Sequence, residues 1–180
     1  MSTIQILAKQ GKERVHRGLA DISMAQLKQM RNESLKSCFA QFNDSQNRME
    51  FVAKIHDKRF VNDAASRTMN STWYALDSIE GNIIWIANTT DVPTNYKMVM
   101  NSVSQKVKML ICVGGHSQQI HEQFDGIVPM VIDVPTLKDA VHRALYNNVN
   151  TATVLFSPAC ENGILADEEG ASFKMEVNEL

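Results

Sequence analysis

The residues with chemistry to offer gather in a few short segments, each following an apolar run. Asn62-Asp63-Ala64-Ala65-Ser66 and Asn88-Thr89-Thr90-Asp91 are the first two. Gly114-Gly115-His116-Ser117 follows MLICV, and Ser157-Pro158-Ala159-Cys160 follows ATVLF. A glycine pair ahead of a helix can cradle an anion on backbone N–H groups, but the expected role here is the tight strand-to-helix turn itself. None of the segments fits G-x-G-x-x-G, and G-x-x-x-x-G-K-[ST] occurs nowhere, so neither a dinucleotide site nor a P-loop is expected. His116 and His121 stand five apart, about 140° around a helix, which suits two ligands of one metal poorly. No cysteine or acid lies at ligand spacing to them, and no metal site is expected. Ser117 and Cys160 lack an elbow or triad signature that would supply a base. Cys160, beside Pro158, and Cys112, inside MLICV, read as structural. Asp167-Glu168-Glu169 can hold a cation but suits better the solvated first turn of a helix, where carboxylates meet the positive end of the dipole.

The elements that position these segments follow from hydrophobic rhythm. IIWIA, MLICV, PMVIDV and ATVLF are continuous apolar runs, the pattern of strands buried on both faces. Between them lie helical stretches. In Tyr96–Val107 the apolar positions are Tyr96, Val99, Met100, Val103 and Val107; in Leu137–Leu145 they are Leu137, Ala140, Val141, Ala144 and Leu145. Thr136 and Asp139 can form a capping box at the start of the second. Upstream, MEFVAKIH alternates, with Met49, Phe51, Ala53 and Ile55 on one face, and Asp57-Lys58 suggests a hairpin without the usual glycine. Met24, Leu27, Leu35, Cys38, Phe39 and Phe42 form a helical stripe. The fold class is therefore α/β, a Rossmann-like, mostly parallel sheet with helices on both faces, an N-terminal β-hairpin and a helix before it. Ligands of such sheets bind at the carboxyl ends of the strands, where the segments above fall.

The domain division expected is a basic arm at 1–20, carrying Lys9, Lys12, Arg14 and Arg17, and one domain at 21–180 whose helix 23–42 sits at a former domain junction. At 180 residues with 44% hydrophobic and 21% charged content, the chain can bury a core without disulfides or metal. A net charge of −2 gives no electrostatic case for nucleic acid as partner. The apolar runs are too short to insert in a membrane, and the first residues lack a signal-peptide core. Three widely spaced cysteines fit a reducing compartment, so a cytoplasmic location is expected.

With these segments in order, a family resemblance emerges. NRMEFVAKIHDKRFVNDAASRTMNSTWYAL resembles the start of the C-terminal domain of the Mur ligases, bacterial enzymes of peptidoglycan precursor synthesis, and within them the D-glutamate-adding branch. IIWIANTTDVPTNY is similar to the strand that the family follows with GG-x-DKG, and VLFSPACENG to its last strand and S-P-A-C-A-S. The resemblance runs from about Ile22 to Leu180. It implies a domain that closes over nucleotide and incoming amino acid, whereas the P-loop lysine and magnesium ligands of the reaction belong to a central domain these residues do not include.

The resemblance also implies which site residues are kept. Arg48 and Asp63 match the arginine and aspartate that contact nucleotide in the family. The lysine of the family's NDSKAT falls on Ala65 and its threonine on Arg67; the lysine of DKG falls on Val92, and the serine after SPACA on Asn162. Two carboxylate-binding lysines are thus replaced by apolar residues, which leaves a substrate charge unpaired. No catalytic residue, no cofactor and no metal are expected. The expected role is a non-catalytic binding or scaffold subunit, a pseudoenzyme acting in a protein complex. It would reach a protein partner or a second copy through helix Met24–Phe42 and the N-terminal arm. The alternatives are an accessory half of a split ATP-dependent amino-acid ligase and a small-ligand sensor.

Overall fold

The continuous apolar runs form parallel strands because both of their faces must be covered. The computed structural model describes residues 24–40, 46–160 and 163–180. The chain divides into two units, 1–38 and 39–180. Most of helix α1 (Met24–Ala40) lies in the first; in it Gln29 Nε2 donates to Glu33 Oε1 at 2.9 Å, and Met30 is exposed. The basic arm at 1–20, Phe42 and Asn162 lie outside the described residues.

The second unit holds six strands: β1 (Glu50–Ile55), β2 (Lys58–Asn62), β3 (Asn82–Asn88), β4 (Val107–Val113), β5 (Val131–Val134) and β6 (Ala152–Phe156). Their order across the sheet is β1-β2-β6-β3-β4-β5, antiparallel only between β1 and β2. The connections carry α2 (Met69–Ser78), a 3-10 turn (Tyr96–Met98) with α3 (Met100–Lys106), α4 (Gln118–Phe124) and α5 (Leu137–Leu145), and α6 (Ala166–Asn178) closes the chain. From β2 to β5 the chain moves across the sheet in one direction; the connection through α5 then returns to β6, between β2 and β3. Right-handed crossovers therefore put α2–α4 on one face and α5 on the other.

Alternation along β3 serves both faces. Ile84 and Ile86 join α5 and α6 through Ala140, Val141, Ala144, Phe173 and Val177. Trp85 points to the other side, edge-on to Phe124 of α4 with centroids 6.1 Å apart, and Phe124 meets Tyr96 at 5.3 Å. Trp85 Nε1 donates to Ser157 O at 2.9 Å, so the largest core side chain leaves no polar atom unpaired. Lys106 folds its ammonium back onto the carbonyls of Leu76, Asp77 and Ile79 at 2.8–3.1 Å, satisfying the exposed end of α2.

Four local expectations are refined. The helical period over Tyr96–Val107 resolves into the 3-10 turn and the shorter α3, and Val107 begins β4. In β1 a bulge between Phe51 and Ala53 breaks the alternation, leaving Phe51 exposed under the Arg59 guanidinium at 5.2 Å. The hairpin turns through His56-Asp57, with His56 rather than a glycine taking the positive φ of 53°. At α5, Thr136 Oγ1 accepts from Asp139 N–H as expected, but the Asp139 carboxylate takes the Thr136 hydroxyl instead of its backbone N–H.

Phe173 is fully buried and stacks on Phe156 at 5.1 Å. Phe173→Ala is expected to cost about 3–5 kcal/mol through lost burial and the cavity left behind, read as a lower urea midpoint with an unchanged m-value.

Candidate functional site

The carboxyl ends of β2, β6 and β3 end in loops that are wired together by backbone hydrogen bonds. Asp63 N–H donates to Phe156 O at 2.8 Å, Ser157 N–H to Ile86 O at 3.1 Å and Asn88 N–H to Pro158 O at 3.1 Å. Ala159 N–H donates to Ser66 O at 3.0 Å, with Ala159 itself at φ +68°. Thr89 N–H donates to Val113 O at 3.0 Å, just before the glycine pair, so the four chemistry-bearing segments lie along one edge, as the sheet topology requires.

Across this edge lies the first turn of α6. Its acids were expected to be solvated, and Glu168 is exposed; Glu169 is not. Glu169 is 7% exposed, its Oε2 accepting from Arg67 Nη1 at 3.0 Å and its Oε1 from Asn88 Nδ2 at 2.7 Å. A carboxylate is buried only when paired and hydrogen-bonded, and here one cation and one amide do both. Asp167 takes Asn47 Nδ2 at 2.7 Å, Asn47 Oδ1 takes Asn62 Nδ2 at 2.9 Å, and Asn62 also reaches Glu50, which Lys174 pairs at 3.2 Å. Asn47 holds this place with a positive φ of 58°. The Gly170 backbone comes so near that a Cβ there would lie 2.2 Å from Asn47 Oδ1.

Asp63 is fully buried between these layers. Its Oδ1 accepts from Met49 N–H at 3.2 Å. Burial pushes its carboxyl up to about 6, against the opposing pull of Ser66, the Arg48 guanidinium, Met49 N–H and Ser157. Ser157 Oγ also shares a hydrogen bond with Thr72 Oγ1 at 3.1 Å. Arg48 is half-buried beside Asp63. The structure thus brings Arg48, Asp63 and Arg67 to one end of the sheet, with Asp63 beneath its surface.

Ala65 is half-buried on the loop after β2. Val92, by contrast, is 62% exposed on the loop after β3. That loop is held by one side chain: Gln119 Nε2 donates to Thr90 O at 3.3 Å and Val92 O at 3.2 Å, and Gln119 Oε1 accepts from Thr94 N–H at 3.0 Å. The glycine pair makes a turn, as expected: Gly114, at φ +109°, donates its N–H to Val134 O, and His116 N–H goes to Thr89 Oγ1. Among the described residues no group of three or more His, Cys, Asp or Glu side chains is arranged to hold a metal ion. Cys112 is core, its thiol pushed up to about 12 chiefly by burial, and Cys160 Sγ donates to Asn88 O.

The residues that sequence reasoning missed are Glu169 as a buried partner and His121 as a clamp. His121 lies between Asp125 at 3.0 Å and Asp133 at 3.2 Å, joining α4 to β5. Burial opposes its charged form, but the two carboxylates outweigh it and raise its pKa above the ordinary value. The spacing of His121 and Asp125 at i, i+4 signals half of this clamp; Asp133 is visible only once the strands are placed.

No protein-family model matches the chain. Among curated proteins, the UDP-N-acetylmuramoylalanine–D-glutamate ligase of Christiangramia forsetii is 31% identical over 177 residues, covering 97% of this chain and 40% of that protein. The enzyme of the same name from Bacteroides fragilis is 32% identical over 178 residues, again 97% of this chain and 40% of that protein. Among solved structures, the UDP-N-acetylmuramate–alanine ligase of Thermotoga maritima superposes with a TM-score of 0.49 at 11% identity, over 77% of this chain and 31% of that one. The chain spans about 40% of the length of the curated relatives it matches. Among the described residues no helix is long and apolar enough to cross a membrane.

Two outcomes are expected at this edge. Asp63 has a higher pKa folded, about 6, than its ordinary 3.8, so ionising it costs the native state about 3 kcal/mol at neutral pH, a cost that fades as pH falls from 6 to below 4. Asp63→Asn, which keeps an acceptor for Met49 N–H, is expected to raise the melting temperature at pH 7.5 and to lose that advantage below pH 4. Glu169→Ala leaves Arg67 and Asn88 facing a vacated site and is expected to cost about 3–5 kcal/mol in urea unfolding.

Proposed function

The chain is related over nearly its whole length to the C-terminal part of the Mur ligases, and from that premise we propose that it is a non-catalytic binding subunit acting in a protein complex. The observation that carries this reading is the fate of the amino-acid-binding rim. Where the resembled enzymes place two lysines, this chain has Ala65 and an exposed Val92. A cation on the same edge, Arg67, is turned onto the chain's own Glu169 at 3.0 Å. A free amino acid would have to displace a buried carboxylate from its hydrogen bonds to gain one cation, a poor exchange in a partly desolvated site.

What the fold retains is a rigid platform. The strand-end loops are cross-bonded, and the loop bearing Val92 is pinned by Gln119. Reuse of a packed domain as an interaction surface keeps the core and releases the substrate residues. A cytoplasmic setting, a homo-oligomer or a protein partner engaged through helix Met24–Phe42 and the arm, and a link to peptidoglycan synthesis belong to the same proposal.

A second reading, the accessory half of a split ligase, is favoured by Arg48 and Asp63 standing at the positions that match the nucleotide contacts of the family. Against it stands the complete burial of Asp63.

Calorimetric titration of the chain with D-glutamate, alone and with ATP and magnesium, is expected to give no saturable heat. Saturable D-glutamate binding that Arg67→Ala abolishes would overturn the reading. Binding of ATP only when a P-loop ligase chain is added, lost in Arg48→Ala, would favour the split ligase.

A further inference from the structure

We propose that the cleft between α5 and α6 is a binding site for a small aliphatic amine, taken as its ammonium ion. The inference goes beyond the scaffold reading and does not depend on it. The cleft is a cavity of about 530 Å³ at the carboxyl ends of β3, β4 and β6. That volume lies within the range of roughly 300–1,000 Å³ typical of small-molecule sites. Its place is also the one that the topology favours. The chain runs outward from β3 to β5 and returns through α5 to β6 on the other side of β3, so the strand order reverses there, and a crevice opens at such a reversal. Asn88 at the end of β3 and Phe156 at the end of β6 both line it.

The lining selects the ligand. Its apolar part comes from Val113, Leu137, Phe156 and Ile164, enough to receive a short hydrocarbon chain. The polar part is acceptor-rich. Glu168 and Ser172 line the cavity one helical turn apart on α6. The Glu168 carboxylate makes no hydrogen bond or ion pair within the described chain, in contrast to Glu169 beside it, which Arg67 and Asn88 satisfy. No lysine or arginine lines the cavity among the described residues.

Two backbone donors that might have received an anion are already used. Gly114 N–H is bound to Val134 O, and His116 N–H to Thr89 Oγ1. At the N-terminus of α5, Thr136 Oγ1 takes the Asp139 N–H, and the Asp139 carboxylate stands in the first turn. A phosphate or carboxylate would therefore meet an unneutralised Glu168. An alkylammonium instead finds a carboxylate, a hydroxyl and an apolar wall.

The test is a residue-resolved NMR titration of the whole chain with three probes of one length: pentylamine, pentan-1-ol and pentanoate. Pentylamine is expected to shift the amides of Gly114, Gly115, Leu137 and Ser172 saturably, with weaker shifts from pentan-1-ol and none from pentanoate. Glu168→Gln, at an exposed position, is expected to weaken pentylamine about fivefold to tenfold, in line with the loss of one charge-assisted contact. Glu80→Gln, an exposed carboxylate that does not line the cavity, is expected to leave the titration unchanged. Equal response to pentanoate, undiminished binding in Glu168→Gln, or no saturable shift at the cavity amides would each overturn the proposal.

Discussion

A carboxylate that keeps only 7% of its surface in water has to find its partners before the chain around it can settle. Glu169 finds them on two different segments, Arg67 after β2 and Asn88 at the end of β3, so one side chain ties the last helix to both flanks of β6. The aromatic stacking of Phe173 on Phe156 lies one turn further along the same helix and depends on the same docking. Removing the pair as a pair is a different matter from removing one member. Buried ion pairs contribute little net stability over an apolar substitute, but they penalise any arrangement in which the partners fail to meet.

This interaction also decides the character of the strand-end edge. The family resemblance implies an edge that presents cations to a carboxylate arriving from solution. In this chain a carboxylate arrives from within, on a helix, and it is covalently tethered. An intramolecular partner is held at an effective concentration that a dilute metabolite does not match. Alanine and valine stand at the other two positions, so neither offers a charge to an acidic ligand.

Most of the fold was legible because continuous apolar runs and 3.6-residue periods are written locally, as in MLICV and Leu137–Leu145. The departures have local causes of another kind. A bulge turned Phe51 outward, and Tyr96–Val107 had the right period for one helix but split into a 3-10 turn and a short helix. The site was less legible. Arg48, Asp63, Ala65, Arg67 and Val92 could be placed by resemblance, yet their environments depend on residues distant in the chain, such as Gln119 for Val92 and Glu169 for Arg67. The reading of Asp167-Glu168-Glu169 as a solvated turn failed at Glu169 alone, because successive residues of a helix point in different directions and only one of the three faces Arg67 and Asn88. Sequence shows that three acids are adjacent; packing shows that each has a different fate.

The close approach of Gly170 to Asn47 carries a consequence for descent. With a virtual Cβ only 2.2 Å from the Asn47 amide oxygen, neither position can change freely while the other stays as it is. Asn47 is further committed by its bonds to Asn62 and Asp167 and by a left-handed backbone that asparagine tolerates better than most residues. Position 47 and position 170 therefore behave as a single heritable locus split across the chain. In diverging copies of this gene, an alanine at 170 should survive only alongside a smaller or differently seated residue at 47, and recombination that separates the two halves should be selected against.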